Sequence, residues 1–303
     1  MSETVCITGG TGLVGSALIN YFKLNDYQVS LLSRSSRERE GISIYSWDIH
    51  NQKLETEAVK NSSHIIHLAG AGIADKRWTK ERKKELRDSR IKSTQLLFNT
   101  IRNLKTKPKT IISASAIGAY GHDTGGVLVN EERVKPVDDF LATLTRDWED
   151  EVKKFAEIGV RTVIFRIGVV LSQAGGALPR MVLPVKYGIG APLGSGEQYI
   201  SWIHINDLIE MIVFAIENEK LSGIFNAVAP HAVTNKEFMK EIATVLKKPM
   251  FLPNIPGFVM RLSLGEMASI VIGGNRVSSG KIEKAGYKFQ FNNLKEALQD
   301  LFK

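Results

Sequence analysis

Apolar positions follow two different periods along the first half of the chain. Short apolar runs, each typical of a buried strand, occur at TVCITGG, QVSLLSR, SHIIHLAG, TIISASA and RTVIFRIGVVLS. Helical spacing marks GSALINYFKLN, a long basic segment from Trp78 to Asn103, and a stretch that begins after Asp138 and Asp139. Strands that alternate with helices predict an α/β fold with a doubly wound parallel sheet.

The pattern changes after about residue 171, where glycine and proline interrupt the chain and helical runs follow at 207–218, 235–247 and 258–272. We therefore expect a nucleotide-binding Rossmann domain over residues 1–170 and a smaller C-terminal α/β part over residues 171–303 that binds the substrate. A strand or helix of the second part can pack in the first domain. In such sheets the ligand binds at the carboxyl ends of the strands.

Composition narrows the class of protein. With 303 residues, 43% hydrophobic and 24% charged, the chain is neither disordered nor fibrous in composition. No apolar run approaches the roughly 18 residues of a membrane span. The one cysteine, Cys6, cannot form an internal disulfide, so we expect a cytoplasmic protein with no membrane partner. The net charge of +8 fits phosphorylated ligands as well as nucleic acid.

A glycine-rich turn lies between the first predicted strand and the first helix. Gly9, Gly12 and Gly15 recur in ITGGTGLVGSAL, where a tight turn, a close approach to pyrophosphate and close helix packing each need a residue without a side chain. This placement predicts a dinucleotide site. The second strand ends at Ser33 and Arg34, which favour the 2′-phosphate of NADP over NAD, unless Arg34 is only a solvated surface charge.

These motifs resemble the extended short-chain dehydrogenase/reductase superfamily, the NAD(P)-dependent epimerase/dehydratase group. TGGTGLVG matches its cofactor loop, HLAG its third strand, SASAIGAYG its fourth strand and WIHINDL its substrate-domain return. More narrowly, the chain is similar to an atypical branch, the epimerase family of nucleoside-diphosphate-sugar epimerases, through LAGAGIADKRWTKERKKELRDSRIKSTQLL, DDFLATLTRDWE and RIGVVLSQAGGALPRM. The matching segments run from residue 7 to beyond residue 285.

The resemblance implies a site for NADP (NADPH) and a small-molecule substrate, with a nucleotide sugar as the candidate and a homodimer as the family expectation. It implies that Glu85 and Arg90 face inward toward the cofactor and that Val169 lines the nicotinamide pocket. The full set of predicted cofactor-binding residues is Gly9, Thr11, Gly12, Leu13, Val14, Gly15, Ser33, Arg34, Leu68, Ala69, Gly70, Glu85, Arg90, Ser113 and Val169.

The catalytic pair of the superfamily is missing. In ordinary members a Tyr acts as acid or base, and a Lys four residues later lowers its pKa, because an unperturbed phenol near pKa 10 serves poorly at neutral pH. None of the seven tyrosines here has a Lys at the fourth following position. Phe140 and Leu144 stand at the equivalent spacing, so the usual mechanism does not carry over.

Other polar groups are candidates for the chemistry. Ser115, or Ser113, matches the hydroxyl that usually assists the Tyr, unless it is only a hydrogen-bonded residue at a strand end. Tyr120 is a candidate acid, with the alternative of an aromatic packed below the nicotinamide. His204 is a candidate proton donor, with the alternative of a hydrogen-bonded core residue.

The basic segment has nine basic and three acidic residues between Lys76 and Lys92. It is open to three interpretations: a nucleic-acid surface, a solvated helix face with internal ion pairs, or a helix with Glu85 and Arg90 turned inward. We expect no nucleic-acid partner. His64 and His67 lie three apart on a strand, so their side chains leave opposite faces, and we expect no metal site.

Two functions therefore remain from the sequence. The first is an NADP-binding oxidoreductase or epimerase that acts on an unidentified small molecule. The alternative is a catalytically inert NADP-binding regulatory or scaffold protein, which the missing Tyr and Lys favour.

Overall fold

A central sheet of eight strands organises the chain, and seven neighbouring strands in it are parallel. The computed structural model describes residues 3–34, 41–132 and 137–303. The order in the sheet is β12-β8-β6-β5-β1-β2-β3-β4. The strands are β1 (Thr4–Thr8), β2 (Gln28–Ser33), β3 (Ser43–Asp48), β4 (Lys53–Leu54), β5 (His64–His67), β6 (Thr110–Ala116), β7 (Leu128–Val129), β8 (Arg161–Ile167), β9 (Val169–Leu171), β10 (Tyr199–Ile200), β11 (Trp202–His204), β12 (Gly223–Ala227), β13 (Val233–Thr234) and β14 (Arg276–Val277).

Helices cover both faces of this sheet, which confirms the predicted doubly wound α/β fold. The helices are α1 (Leu13–Leu24), α2 (Glu57–Lys60), α3 (Lys80–Arg102), α4 (Phe140–Glu157), α5 (Leu178–Lys186), α6 (Ile205–Glu217), α7 (Asn235–Val245), α8 (Gly257–Leu264), α9 (Ser269–Ile272), α10 (Gly280–Lys284) and α11 (Leu294–Leu301). Two 3-10 turns, at Ile117–Tyr120 and Gly265–Ala268, complete the described elements.

The alternation of side chains along β1 shows how the two layers form. Val5 and Ile7 pack in the cluster that holds α1 and α6, whereas Cys6 packs on the opposite face with α3. All three are fully buried, as expected for a central strand of a parallel sheet. The thiol of Cys6 is thus a packed core group, and burial raises its pKa to about 12.

The helix that follows Asp138 and Asp139 begins as the sequence predicts. The Asp139 carboxylate accepts a hydrogen bond from the backbone N–H of Ala142 at 2.8 Å, which satisfies one of the free donors of the first turn. Leu144, Trp148 and Phe155 then lie buried along one face, against the sheet and α3.

The chain leaves the main sheet at Gly168 and later returns to it. A Cβ at Gly168 would lie 2.4 Å from the carbonyl oxygen of Ser201, so β8 and β9 are separated at a position where only glycine fits. Beyond it, β9 pairs with β11, and a second core forms around Trp202 and Phe238. β12 then joins β8 at the edge of the main sheet, so residues beyond 170 contribute to both cores.

No helix in the described ranges is long and apolar enough to cross a bilayer.

We expect Phe155→Ala to lower the free energy of unfolding by about 3–5 kcal/mol, because Phe155 is fully buried and its ring meets Phe98 edge to face at 5.4 Å. The matched control is Phe258→Ala, since Phe258 is 64% exposed; we expect a change within about 0.5 kcal/mol. Urea denaturation measures both. Equal losses would contradict the assignment of this core.

Candidate functional site

The glycine-rich turn brings three backbone segments together at the carboxyl edge of the sheet. Gly9 has φ +71°, and a Cβ there would lie 2.8 Å from the carbonyl of Leu68. A Cβ at Gly15 would lie 2.4 Å from the Gly9 oxygen, which in turn accepts the N–H of Gly12 at 3.0 Å. The turn therefore packs against the end of β5, and α1 begins at Leu13, directly after its N-cap Gly12, with its first N–H groups at this edge.

A buried polar chain holds the end of β5 in place. The hydroxyl of Thr8 accepts the backbone N–H groups of Leu68 and Ala69, each at 3.1 Å, and lies 2.8 Å from Nδ1 of His67. Nε2 of His67 lies 3.0 Å from the hydroxyl of Thr94. Burial, and secondarily the charge of Arg90, lowers the pKa of His67 to about 3. His67 is therefore a neutral positioning group for the Leu68–Ala69 segment, as sequence reasoning did not foresee.

Two polar residues stand at the end of β2. Ser33 is half-buried and Arg34 is exposed at this end. A hydrogen bond from Arg82 lowers the pKa of the Glu85 carboxyl, and the charges of Lys76 and Arg34 lower it further. These cations therefore share one electrostatic environment, which we call the cationic corner: Arg34, Lys76 and Arg82.

Arg82 is the buried charged residue of this turn of α3. Its side chain is 7% exposed, pairs with Glu85 at 2.6 Å and donates to the carbonyl of Gly72. Its Nε has no hydrogen-bond partner among the described residues. Glu85 is 56% exposed, and its contact with the cofactor stays a prediction. Both residues lie within one turn, so sequence spacing alone could not select the buried one.

Arg90 does turn inward, against the loop after β5. Its guanidinium donates to the carbonyls of Leu86 at 3.0 Å and Ala71 at 3.1 Å and lies 5.3 Å from the ring of Trp148. Burial, with the charge of Arg82, lowers its pKa to about 10. A Cβ at Gly70 would lie 3.0 Å from this guanidinium, so Gly70 lets the loop pass over it.

Several other charges of the basic segment are paired within the molecule. Lys84 and Lys92 both contact Asp88 at 2.9 Å, and Arg87 contacts Asp147. These pairs agree with the interpretation of a helix face that neutralises part of its own charge.

A buried polar row crosses the carboxyl ends of β6, β8 and β12. Ser115, Arg166 and Asn226 stand opposite one another in register on the three strands. The Ser115 hydroxyl donates to Glu149 at 2.6 Å, and Arg166 binds both oxygens of Glu149 at 2.8 and 2.7 Å. Burial alone would lower the pKa of Arg166, but the hydrogen bonds and charge of Glu149 raise it above its ordinary value. Ser115 is thus committed to a buried ion pair.

Tyr120 belongs to the same row. Its hydroxyl donates to Asn226 at 2.8 Å, and its ring lies 5.0 Å from the Arg166 guanidinium. Burial raises the pKa of Tyr120 above its ordinary value, and Arg166 only partly offsets that effect. The phenol is therefore protonated at neutral pH and cannot act as a base there. Ser113 is fully buried two residues before Ser115 on the same strand.

Glu149 is the residue of this row that the sequence did not reveal. It lies on α4 among the apolar positions Trp148 and Val152, and it is 2% exposed. Two signals were available: a charge beside the apolar face of a helix, and an arginine inside an apolar strand. Neither signal specifies that the two residues meet.

The positions of the missing Tyr and Lys carry apolar contacts. Phe140 is half-buried, with its ring 5.2 Å from that of Trp78 and 5.1 Å from Nζ of Lys83. Leu144 is buried. Neither side chain transfers a proton. Val169, at the start of β9, is half-buried.

His204 is a structural residue. Its Nδ1 accepts the N–H of Asn206 at 3.2 Å at the start of α6, and its ring stacks 4.0 Å from Phe291. Burial lowers its pKa to about 4, so it is neutral and caps the helix. His64 and His67 have separate partners, and the described residues contain no group of three side chains suited to a metal ion.

Comparison with known proteins gives the family. A model described as the NAD dependent epimerase/dehydratase family matches residues 5–227, and a model described as a domain of unknown function (DUF1731) matches residues 255–301. The chain belongs to the NAD dependent epimerase/dehydratase family. The resemblance predicted from the sequence motifs is thereby confirmed, and the family match includes the glycine turn, the cationic corner and the buried row.

Members of this family align with nearly the whole chain. The epimerase family protein SAR0825 of Staphylococcus aureus (strain MRSA252) is 41% identical over 297 residues, 97% of each chain. The crystal structure of the human epimerase family protein SDR39U1 (isoform 2) with NADPH is 30% identical, with a TM-score of 0.87 and 99% of each chain covered. The nucleoside-diphosphate sugar epimerase of Corynebacterium glutamicum is 30% identical with a TM-score of 0.80, covering 99% of this chain and 58% of that one.

Glu149→Ala should lower the free energy of unfolding by about 3–5 kcal/mol, because it leaves the guanidinium of Arg166 buried without its counter-charge. Asp150→Ala is the control on the next residue, where the pair with Lys153 is exposed; its expected cost is at most about 1 kcal/mol. Urea denaturation compares the variants. A loss for Glu149→Ala no larger than the control loss would refute the buried pair.

The pH dependence of stability should reflect His67. Its folded-state pKa of about 3 lies below the unfolded value near 6.5, so the unfolded chain binds more protons as the pH falls below that value. The neutral ring therefore contributes stability that is complete above about pH 6.5 and falls by about 2 kcal/mol by pH 5. In His67→Gln the difference in unfolding free energy between pH 7 and pH 5 should shrink by that amount, whereas the exposed His231→Gln should match the parent protein. An unchanged difference in His67→Gln would show that His67 protonates freely when folded.

Proposed function

We propose that this chain binds NADP(H) at the carboxyl edge of its sheet and uses it for oxidoreduction or epimerisation of a small carbonyl or hydroxyl compound, with a nucleotide sugar as the candidate. The observation that carries the proposal is the glycine turn, whose close backbone contacts leave N–H groups at the start of α1 for a pyrophosphate. The cationic corner supports NADP(H), because Arg34 directly follows β2, where an adenosine 2′-phosphate would be read, and its charge acts with those of Lys76 and Arg82 on the Glu85 carboxyl.

The residues present fit a dinucleotide. The turn is lined by positions at which a Cβ would collide with backbone, so it presents bare N–H groups at the start of α1. Nε of Arg82 is a buried donor without a described partner, which suits an anion nearby. The human relative, solved with NADPH, supports the same cofactor for this chain.

Roles for the chain follow from this arrangement. The Gly9–Gly15 turn would hold the pyrophosphate, and Ser33 with Arg34 the adenosine phosphate. Leu68 and Ala69, fixed by Thr8 and His67, would hold the adjacent ribose. Val169 would line the nicotinamide pocket. When bound, the cofactor supplies or accepts hydride.

A second candidate function is a cofactor-binding regulator without turnover. Phe140 and Leu144 favour it, because they replace the proton-transfer pair, and so does Ser115, because Glu149 and Arg166 already engage it. Incubation of NADP(H)-loaded protein with a panel of sugar nucleotides, carbonyls and alcohols separates the two candidates. Hydride transfer or epimerisation that requires the cofactor excludes the regulator.

Arg34→Ala should weaken NADPH binding by about 10- to 100-fold and leave NADH binding within about twofold, because only NADPH carries the phosphate that a charged hydrogen bond would recognise. Arg102→Ala is the control, since Arg102 is also exposed but lies at the far end of α3. Fluorescence titration measures both cofactors. Equal losses of NADPH and NADH, or tighter NADH binding by the parent protein, would refute the assigned preference.

A further inference from the structure

A cleft of about 500 Å³ opens between the segment after Tyr120 and the C-terminal elements α8 and α9. The residues of its wall that matter here are His122, Asp123, Arg261, Glu266 and Ser269. Among the described residues that line it, His122 is the only histidine, the residue type most often used in general acid–base catalysis.

Asp139 holds His122 in a defined orientation. The backbone N–H of His122 donates to Oδ2 of Asp139 at 2.9 Å, and Nδ1 of the ring lies 3.5 Å from the same oxygen. The other carboxylate oxygen accepts the N–H of Ala142 and so belongs to the start of α4. With Nδ1 on the side of Asp139, Nε2 is the nitrogen left for a ligand, the arrangement by which a carboxylate orients a catalytic imidazole.

The backbone before His122 is shaped for this contact. Gly121 has φ +91°, a conformation that residues with a side chain rarely adopt. A Cβ there would lie 3.0 Å from Val137 and 3.3 Å from Oδ2 of Asp139. Gly121 thus allows the chain to pass Asp139 closely enough for His122 to bind it.

Sequence adjacency and two contacts of Lys83 link the His122–Asp139 pair to the position of the missing Tyr. Asp139 directly precedes Phe140, which stands where the Tyr of the superfamily would be. Lys83 lies 5.1 Å over the Phe140 ring and forms an ion pair with Glu266 at 2.5 Å, on the wall of the cleft. His122 is 56% exposed and therefore reachable by a small molecule.

We propose that His122 is the proton-transfer residue of this protein and that Asp139 positions it, in place of the missing Tyr and Lys. This proposal rests on the proposed function. In the reductive direction a bound NADPH would supply hydride to the carbonyl carbon of the substrate, and the carbonyl oxygen would take the proton from Nε2 of His122. The products are an alcohol, the oxidised nicotinamide and a neutral imidazole, which regains its proton from water. The reverse direction oxidises an alcohol, with His122 as the base.

The other polar groups are less suited to this role. Tyr120 donates to Asn226, Ser115 donates to Glu149, and His204 caps α6. His122, in contrast, borders open space with one ring nitrogen turned away from its carboxylate partner.

The experiment measures NADPH binding and carbonyl reduction separately in the full chain. Fluorescence titration gives the Kd for NADPH, and loss of NADPH absorbance gives the rate with a carbonyl panel that includes 9,10-phenanthrenequinone. We expect His122→Ala and His122→Gln to lower kcat about 100-fold, the size of a lost general acid, with the Kd for NADPH and the thermal midpoint unchanged. Added imidazole should restore part of the rate to His122→Ala. His231→Ala is the matched control and should keep the full rate.

The role of Asp139 is tested by separating kcat from KM. Asp139→Asn keeps an N-cap side chain but loses the charge that faces Nδ1 of His122, so kcat should fall with little change in KM or in the thermal midpoint. The charged groups around the ring, Asp123, Glu266 and Arg261, are retained in this variant and in the parent protein.

Each outcome decides between explanations. A protein that fails to bind NADPH overturns the proposed function and this inference with it. A protein that binds NADPH but reduces no carbonyl overturns the proton-transfer role and leaves cofactor binding intact. Full activity in folded His122→Gln overturns His122 as the acid, and an unchanged kcat in folded Asp139→Asn overturns Asp139 as its positioning residue.

Discussion

The close approach of the glycine turn to the end of β5 is the constraint on which this structure depends. Gly9 and Gly15 bring three backbone segments to distances that no side chain allows, because a Cβ at either position would lie under 3 Å from backbone atoms. This contact fixes the first helix against the central strands and leaves free N–H groups at the carboxyl edge of the sheet. The hydroxyl of Thr8 then ties the neighbouring loop into the same arrangement.

The carboxyl edge divides into a deep part and an outer part. In the deep part, Glu149 and Arg166 form a buried ion pair that also engages Ser115, so these polar groups link strands β6 and β8 to helix α4. Such a pair is costly to break and poorly suited to changing its protonation state. The proposed proton-transfer residue therefore belongs to the outer part, where His122 lines the cleft and contacts Asp139.

The strands and the glycine turn were predictable from the sequence because they depend on local rules. Apolar runs of strand length and glycines at a strand-to-helix junction predict the same local structure whatever the rest of the chain contacts. The partners of charged residues were not predictable. Arg82 and Glu85 lie within one turn of α3, and only the packing of the Gly72 loop makes Arg82 the buried one of the two. The pairing of Glu149 with Arg166 was equally hidden.

The sequence by itself determined the doubly wound fold, the dinucleotide motif and the absence of a Tyr followed by Lys at the fourth position, because each is a matter of which residues stand at short, fixed spacings. Only the tertiary structure decided that Ser115 and Tyr120 are engaged in a buried row and that His122 meets Asp139 at the start of α4. The physical reason is that burial and electrostatic partners arise between segments distant in sequence, and their distances exist only after the sheet has brought those segments together.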